Sequence, residues 1–257
     1  MIKKGYYKRC TERNCRRRGL LLHVKTNFFS SKTGRFNSRA TCKECFMLRH
    51  GKKMEMQRKR RGYLNKVLPN TLTDNEEVLI RQQFQGKCAL SWVVDDVVLD
   101  HFVPLSWEES VIDFGLGGTT YANMLPLNNT INKSKSAENP FEWIKKARTK
   151  FNIDLEAWNA VVKYLADKHQ MSVVDFESKV NECYFYISAR RSVEWLNEVL
   201  RDKKRKPYGC IKGLLSKGIN IEIAVDEFGS TKAKEYIKSL EGKNEIKRMK
   251  ENLRTQI

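Results

Sequence analysis

Four cysteines near the start of the chain restrict its folding more than any other feature. They form two pairs, Cys10 and Cys15 in "CTERNC" and Cys42 and Cys45 in "CKEC", with 26 residues between the pairs. The CxxC spacing lets two thiolates from one tight turn bind a single ion, and two such pairs suit a tetrahedral zinc site. A module of about 50 residues with few large aliphatic side chains needs such a cross-link to fold. We therefore predict a structural Zn²⁺ bound by all four cysteines; the alternative is four thiols without metal.

Positive charge is concentrated in the same part of the chain. Of the 49 Lys and Arg residues, 21 precede residue 67, together with three of the 30 acidic residues, so that this quarter carries +18 of the formal net charge of +19. A dense cationic segment serves polyanions, because each neutralised phosphate releases condensed counterions. A solubilising basic tail is the alternative, but the mixing of cations with cysteines and aromatic residues favours nucleic acid. We predict nucleic-acid contacts from Arg16, Arg17, Arg18, Lys43, Arg49, Arg58, Lys59, Arg60 and Arg61.

We identify no export signal and no membrane-spanning stretch in the sequence. The basic start "MIKKGYYKRC" is not followed by an apolar signal-peptide core, and no stretch approaches the ~20 apolar residues of a membrane span. Seven cysteines in such a chain indicate reduced thiols or metal ligands rather than a disulfide framework. We expect a cytoplasmic protein with no membrane partner.

Periodicity divides the rest of the chain into a mixed segment and a helical one. "LTDNEEVLIRQQFQGKC" predicts a helix that starts near Thr73 or Asp74 and ends at Gly86. "CALSWVVDDVVLDHFVPLS" predicts a β-hairpin with its turn near Asp95 and Asp96, and the following loop leads to a short helix. After residue 139, apolar residues at spacings of three and four predict helices over 140–151, 154–169 and 172–202, and shorter helices from 208 onwards.

Adjacent Asp100 and His101 close an apolar run in "VVLDHFVPLSW". By itself such a dipeptide is most often a turn at the end of a strand, with a histidine on the surface. Downstream, "YANMLPLNNTINKSKS" places Asn123, Asn132, Lys133 and Lys135 at further positions. The combined pattern, from about Cys88 to Ser136, resembles the HNH (ββα-metal) nuclease family, in its phage-type and homing-endonuclease-like branches. The cysteine pairs likewise resemble small zinc modules found ahead of such nucleases.

The resemblance implies a role for each of these residues. Asp100 and Asn132 are expected to bind Mg²⁺ or Mn²⁺ through oxygen atoms, the ligands that Mg²⁺ prefers. His101 is expected to be the general base, since a neutral imidazole near pKa 6.5 accepts a proton from water at neutral pH. Asn123 is expected to fix the histidine-bearing loop through backbone hydrogen bonds. Two lysines are expected to contact the DNA backbone, Lys133 and Lys135.

The expected roles of Asp100 and His101 also depend on which face of the strand each side chain occupies. Consecutive residues of a regular strand face opposite sides, so a turn or bulge at Asp100 and His101 would be needed to bring both to the same side of the backbone. Cleavage of a phosphodiester also needs charge neutralisation at the phosphate and support for the departing oxygen, which a single Mg²⁺ supplies.

These observations predict an α+β protein of several parts. They are a Cys₄ zinc-binding basic module over 1–50, a basic linker or helix over 51–72, a ββα-metal HNH domain over 73–139, a helical domain over 140–206 and a helical segment over 207–257 with a candidate helix-turn-helix. The expected function is Mg²⁺-dependent hydrolysis of double-stranded DNA by a phage-encoded homing endonuclease that acts in the bacterial cytoplasm. The alternatives are a non-catalytic zinc-dependent DNA-binding protein on an HNH-like scaffold and a protein directed to RNA.

Overall fold

The computed structural model describes residues 5–202 and 206–254. Residues 1–4, 203–205 and 255–257 lie outside the described residues. They fall at the ends of the predicted domains 1–50, 140–206 and 207–257. The chain is a mainly helical α+β protein with two-stranded sheets, which confirms the predicted class at this level. It divides into two compact units, Met1–Tyr63 and Leu64–Ile257. The division falls within the stretch that the sequence assigned to a basic linker.

The N-terminal unit consists of two short antiparallel strand pairs and the first part of a long helix. Strand β1 (Tyr7–Lys8) pairs with β2 (Leu22–His23), and β3 (Phe28–Ser30) pairs with β4 (Ser38–Cys42) through an irregular register. A small buried cluster consists of Leu22, Phe28 and the four cysteines of the two pairs. The elements are β1 (Tyr7–Lys8), β2 (Leu22–His23), α1 (Val24–Asn27), β3 (Phe28–Ser30), β4 (Ser38–Cys42) and α2 (Lys43–Val67).

Helix α2 carries most of the predicted basic linker. Its 25 residues include a charged stretch, Lys52–Arg61, in which every side chain is exposed. A helix that is polar all round does not bury a stripe against a neighbour, so this stretch is solvated on all sides.

The C-terminal unit contains one small sheet and ten helices among its described residues. Helices over 140–151, 154–169 and 172–202 are confirmed to within two residues by α6, α7 and α8. The elements are α3 (Asp74–Gln83), β5 (Val97–His101), α4 (Ser110–Asp113), β6 (Met124–Asn128), α5 (Asn129–Lys135), α6 (Pro140–Phe151), α7 (Leu155–Lys168), α8 (Val173–Arg201), α9 (Tyr208–Leu215), α10 (Ile221–Phe228), α11 (Thr231–Lys238) and α12 (Leu240–Arg254).

Local capping explains why the helix starts were predictable. Thr73 accepts a hydrogen bond from the Glu76 backbone, and the Glu76 carboxylate accepts one from the Thr73 backbone, which closes a capping box at the start of α3. Asn139 caps α6, whose first residue is Pro140, and Ser172 caps α8. Each cap satisfies backbone N–H groups that otherwise have no partner in the helix.

The predicted hairpin over residues 88–106 is wrong. Strand β5 pairs instead with β6, which the sequence placed in a loop, in an unbroken antiparallel register from Val97 opposite Asn128 to His101 opposite Met124. Residues 88–94 form turns, in which Cys88 and Val93 are joined by a backbone hydrogen bond of 2.8 Å. Cys88, Ala89 and Leu90 are buried without a β-ladder, whereas the apolar residues over 92–94 are exposed. That difference is not visible in the periodicity of the stretch.

Two apolar cores stabilise the C-terminal unit. The first joins residues from Leu64 to Ile187 and so includes both the predicted HNH domain and the helices α6 and α7. The second lies between the C-terminal half of α8 and the helices α9 to α12. The first core thus extends on both sides of residue 139, and helix α8 contributes one half to each core.

None of the helices in the described part of the chain is both long enough and apolar enough to cross a membrane.

Candidate functional site

The four cysteines of the N-terminal unit lie together. Their Sγ atoms are all within 4.8 Å of one another, and the Sγ atoms of Cys15 and Cys42 are 3.8 Å apart. Sulfur atoms bound to one tetrahedral zinc at about 2.3 Å are separated by about 3.8 Å. The separation is much longer than a disulfide bond of about 2.05 Å. This cluster, Cys10, Cys15, Cys42 and Cys45, is able to bind a structural metal such as zinc.

Local structure brings the second cysteine pair into position. Cys42 ends β4 and Cys45 lies in the first turn of α2, so the CxxC turn is a strand-to-helix junction. The backbone N–H of Cys42 donates to Cys10 Sγ at 3.2 Å. The buried Nζ of Lys8 donates to the carbonyls of Ser38 at 3.1 Å and of Arg39 at 2.6 Å, which secures the entry to β4.

The thiols of the cluster have different proton affinities. Burial raises the pKa of Cys45, and neighbouring thiols raise it further. Burial also raises the pKa of Cys15. For Cys10, burial acts in the same direction, but hydrogen bonds from the backbone of Cys42 and Glu12 leave the pKa lowered. Because zinc binds thiolates, metal binding must release the protons that Cys15 and Cys45 retain.

The predicted nucleic-acid contacts in the N-terminal unit lie at its surface. Arg17 donates to Asn27 Oδ1 at 3.0 Å and pairs with Glu44 at 3.5 Å, and Arg49 pairs with Glu12. Lys43 is half-buried, with Nζ 5.6 Å from the ring centroid of Phe29. The other predicted contacts are exposed: Arg16, Arg18, Arg58, Lys59, Arg60 and Arg61.

A second set of polar residues surrounds the end of strand β5. Asp100 and His101 are the last two residues of this strand, opposite Leu125 and Met124. Because the register is unbroken here, the two side chains project from opposite faces of the strand. Both residues pair regularly with β6 and form no bulge. Asp100 and His101 therefore lie on opposite faces of the strand end.

Asp100 faces helix α5 and forms an ion pair with Lys135. The distance from Asp100 Oδ2 to Lys135 Nζ is 3.0 Å, and Lys135 is only 2 % exposed. Lys135 Nζ also donates to the carbonyl of His101 at 2.8 Å. Burial lowers the pKa of Lys135, and the charge of Asp100 acts in the opposite direction.

The burial of Lys135 does not agree with the predicted contact to the DNA backbone. Its ammonium is directed into the protein, where carboxylate and carbonyl oxygens satisfy it. No sequence pattern indicates this burial, because a lysine near a helix end is most often exposed. Lys133, two residues earlier on the same helix, is exposed.

His101 faces the loop that precedes β6. Its Nε2 lies 2.9 Å from the hydroxyl of Thr119. The backbone of Thr119 is itself fixed, since its N–H donates to Pro69 at 2.8 Å and its carbonyl accepts from Thr71 and Leu72. Sequence analysis missed Thr119, because a hydroxyl 18 residues away in a loop carries no pattern that links it to the histidine.

Asn123 joins two stretches of backbone beside His101. Its Oδ1 accepts from the N–H of Val103 at 2.8 Å, and its Nδ2 donates to the carbonyls of Val103 at 3.0 Å and Gly118 at 2.8 Å. The side chain is buried, and all three bonds are made to backbone. These contacts are of the kind that the resemblance implies for this position.

Asn132 lies on helix α5, which follows β6 directly. The side chain of Asn128 caps this helix by accepting from the backbone of Thr130 at 2.9 Å. Asn132 precedes Lys135 by three residues and so lies on the same side of the helix as the partner of Asp100. Asn132 therefore lies on the helix that follows β6, whereas Asp100 and His101 end β5.

The oxygen atoms at this strand end fit a hard cation. Asp100 Oδ2 is buried, and the ammonium of Lys135 lies 3.0 Å from it. A carboxylate and an amide on the adjacent helix are the donor types that Mg²⁺ uses together with water.

The candidate helix-turn-helix is a pair of eight-residue helices. Gly229 and Ser230 join α10 to α11, and Ser230 caps α11. Asn197 on α8 fixes this turn by donating to the carbonyl of Phe228 at 3.1 Å and accepting from the N–H of Ser230 at 2.8 Å. DNA recognition by this pair stays a prediction.

Comparison of the chain with protein families, with curated proteins and with solved structures gave no match. The interpretation of both sites therefore depends on their own geometry and chemistry.

Proposed function

We propose that this protein is a metal-dependent endonuclease of the HNH type that hydrolyses DNA phosphodiester bonds. One observation carries the proposal: β5 and β6 pair antiparallel, α5 follows β6 at once, and the four polar residues of the predicted site lie on or directly beside these elements. The four are Asp100, His101, Asn123 and Asn132. Two antiparallel strands followed by a helix, in the order β5, β6 and α5, are the ββα order that the resemblance implies for a metal-dependent nuclease.

In the proposed reaction, His101 takes a proton from a water molecule whose oxygen attacks the phosphorus atom. A new P–O bond forms, the bond to the 3′ oxygen breaks, and that oxygen takes a proton from solvent. The hydroxyl of Thr119 orients the imidazole, and Asn123 holds the backbone that follows it. General-base catalysis of this type contributes about 10²–10⁴-fold to the rate.

Asp100 and Asn132 are the residues that would hold Mg²⁺ or Mn²⁺. When bound, such an ion neutralises charge on the phosphate and stabilises the departing oxygen. In this proposal the phosphodiester crosses the end of β5, because Asp100 and His101 project from opposite faces of the strand.

The rest of the chain supplies nucleic-acid affinity in this proposal. The exposed arginines near the cysteine cluster and along α2 contact phosphates, which fix position without reading sequence. Helix α11 is the candidate for base recognition. The proposed biological role is that of a phage homing endonuclease, and the proposed location is the bacterial cytoplasm.

A second candidate is a non-catalytic DNA-binding protein on the same scaffold. The ion pair between Asp100 and Lys135 favours it, because the carboxylate already has a cation partner.

Cleavage of supercoiled plasmid distinguishes the two candidates. We expect the zinc-loaded protein to nick or linearise plasmid with Mg²⁺ and to do neither with EDTA. His101→Ala should lose about 10²–10⁴-fold in cleavage rate while it still binds DNA in a mobility-shift assay. His50→Ala, outside the strand end, is the matched control and should cut at the normal rate.

Three outcomes would overturn parts of this proposal. A normal rate for His101→Ala removes the general base. Binding of plasmid without cleavage by the unaltered protein, in Mg²⁺ and in Mn²⁺, leaves the non-catalytic candidate. Cleavage of RNA but not of DNA under the same conditions overturns the substrate.

A further inference from the structure

The contact between Asp100 and Lys135 combines two unusual features. The lysine is one of the few buried charged residues among those described, and its partner is a residue that the proposed function assigns to the metal. A fully buried lysine is rare unless it is paired, so this pair is a specific feature of the site.

We propose that Lys135 acts as an internal cation that keeps the metal affinity of the centre low until a nucleic-acid phosphate is present. This inference rests on the proposed function, and it concerns how that centre is loaded. Lys135 is a positioning residue here, since it acts through Asp100 and does not contact the reacting atoms.

The charges at the strand end carry the argument. Asp100 contributes one negative charge, Lys135 one positive charge at 3.0 Å, and Asn132 is neutral. A divalent cation bound by Asp100 therefore meets a nearby ammonium that water screens poorly, because Lys135 is almost fully buried. A phosphodiester would bring both a negative charge and an oxygen ligand, and binding of metal and of phosphate would then strengthen each other.

Lys135 also has a structural role that any test must separate from its charge. Its Nζ donates to the carbonyl of His101 at 2.8 Å. Lys135→Gln removes the charge and keeps a hydrogen-bond donor, whereas Lys135→Met removes both. Lys133→Gln is the matched control, because it makes the same change in net charge on the same helix at an exposed position.

The experiment measures Mn²⁺ binding to the zinc-loaded full chain by electron paramagnetic resonance of free Mn²⁺, without nucleic acid. We expect Lys135→Gln to bind Mn²⁺ roughly tenfold more tightly than the unaltered protein, because a close repulsive charge is removed. Lys133→Gln should stay within about twofold, as expected for a screened surface charge. Asp100→Asn should abolish the binding in each background.

A second measurement uses the unaltered protein and does not depend on how well a variant folds. A thymidine dinucleotide, which contains one phosphodiester, should tighten Mn²⁺ binding, and Mn²⁺ should tighten dinucleotide binding by the same factor. Tryptophan emission checks that each variant is folded before its affinity is compared.

The outcomes separate this inference from the proposed function. Asp100-dependent Mn²⁺ binding that is unchanged or weaker in folded Lys135→Gln overturns the inference alone, as does a dinucleotide that leaves the Mn²⁺ affinity unchanged. If no protein form binds Mn²⁺ through Asp100, with or without dinucleotide, the metal centre of the proposed function is wrong as well.

Discussion

The two units of this chain are stabilised in different ways. In the N-terminal unit the buried cluster consists of four cysteines with Leu22 and Phe28, and this unit carries most of the net positive charge. The C-terminal unit has two extended apolar cores and nearly balanced charge. A small, highly charged unit gains little from apolar burial, so a metal bound at the cysteine cluster would supply most of its folding free energy.

The positions of the tryptophans make this comparison measurable. All five lie in the C-terminal unit, at Trp92, Trp107, Trp143, Trp158 and Trp195. Tryptophan fluorescence therefore reports on that unit, whereas bound zinc reports on the N-terminal unit.

The largest effect is expected from loss of a cysteine of the cluster. Cys45→Ala should lose bound zinc and unfold the N-terminal unit, since structural zinc contributes on the order of 10 kcal/mol to folding. The measurements are zinc content by mass spectrometry, helical signal by circular dichroism, and the tryptophan-reported melting temperature. The melting temperature should stay unchanged, because the apolar cores do not include the cysteine cluster.

A buried cysteine of the other unit is the control for this change. Cys183→Ala alters the first apolar core and should lower the tryptophan-reported melting temperature while zinc content stays normal. The proposed difference between the two units is wrong if Cys45→Ala keeps its zinc. It is also wrong if both variants lose zinc or both lower the tryptophan-reported melting temperature.

A smaller effect is expected from a cavity in the first core. Phe176 is fully buried on α8, with its ring centroid 5.8 Å from that of Phe102. Phe176→Ala should reduce the free energy of unfolding of the C-terminal unit by about 3–5 kcal/mol, measured by urea titration with tryptophan emission. Phe185→Ala, on the same helix but 47 % exposed, should change it by no more than about 0.5 kcal/mol. Equal effects of the two substitutions would contradict the assignment of this core.

Features that depend on neighbouring residues were predictable from the sequence. The capping box at Thr73 and the Asn139-Pro140 start of α6 are signals contained within a few residues. The cysteine spacing works in the same way, because the CxxC turn is local and the second pair only has to reach the same ion.

Strand pairing was not predictable, because it joins distant parts of the chain. Strand β6 contains Pro126, which cannot donate to a ladder and made the stretch resemble a loop. Its partner β5 lies more than 20 residues earlier, and the apolar run before β5 was a nearer candidate. Periodicity identifies an apolar segment but does not select its partner.

In the candidate site too, adjacent residues could be identified from the sequence, whereas their contacts with distant residues could not. Asp100 and His101 attract attention because they are adjacent, whereas the partner of each lies elsewhere, Thr119 in a loop and Lys135 on a helix. Whether a lysine is exposed or buried depends on which side of its helix meets the sheet. That orientation follows from tertiary packing, so the sequence assigned Lys135 to the surface.

The smallest expected effect is a dependence of the stability of the C-terminal unit on pH. His169 at the end of α7 stacks on Phe176, with ring centroids 5.2 Å apart. Burial lowers its pKa, the charge of Lys179 lowers it further, and a hydrogen bond with the Ala122 backbone opposes both. The unfolded chain, with an ordinary histidine pKa near 6.5, therefore binds more protons than the folded chain below that pH. The C-terminal unit should be most stable above about pH 6.5 and lose stability as the pH falls towards the lowered pKa of the folded state.

His169→Gln tests this dependence, because glutamine keeps a hydrogen-bond donor and does not titrate. Tryptophan-reported melting temperatures between pH 5.5 and 7.5 should fall on acidification in the unaltered protein and vary less in His169→Gln. His50→Gln, in the unit without tryptophan, should keep the original dependence. Acid acts on the N-terminal unit by another route, since protons compete with zinc for Cys15 and Cys45. Zinc release and the tryptophan-reported transition should therefore respond separately to His169→Gln, and a common shift of both would show that the two units do not unfold independently.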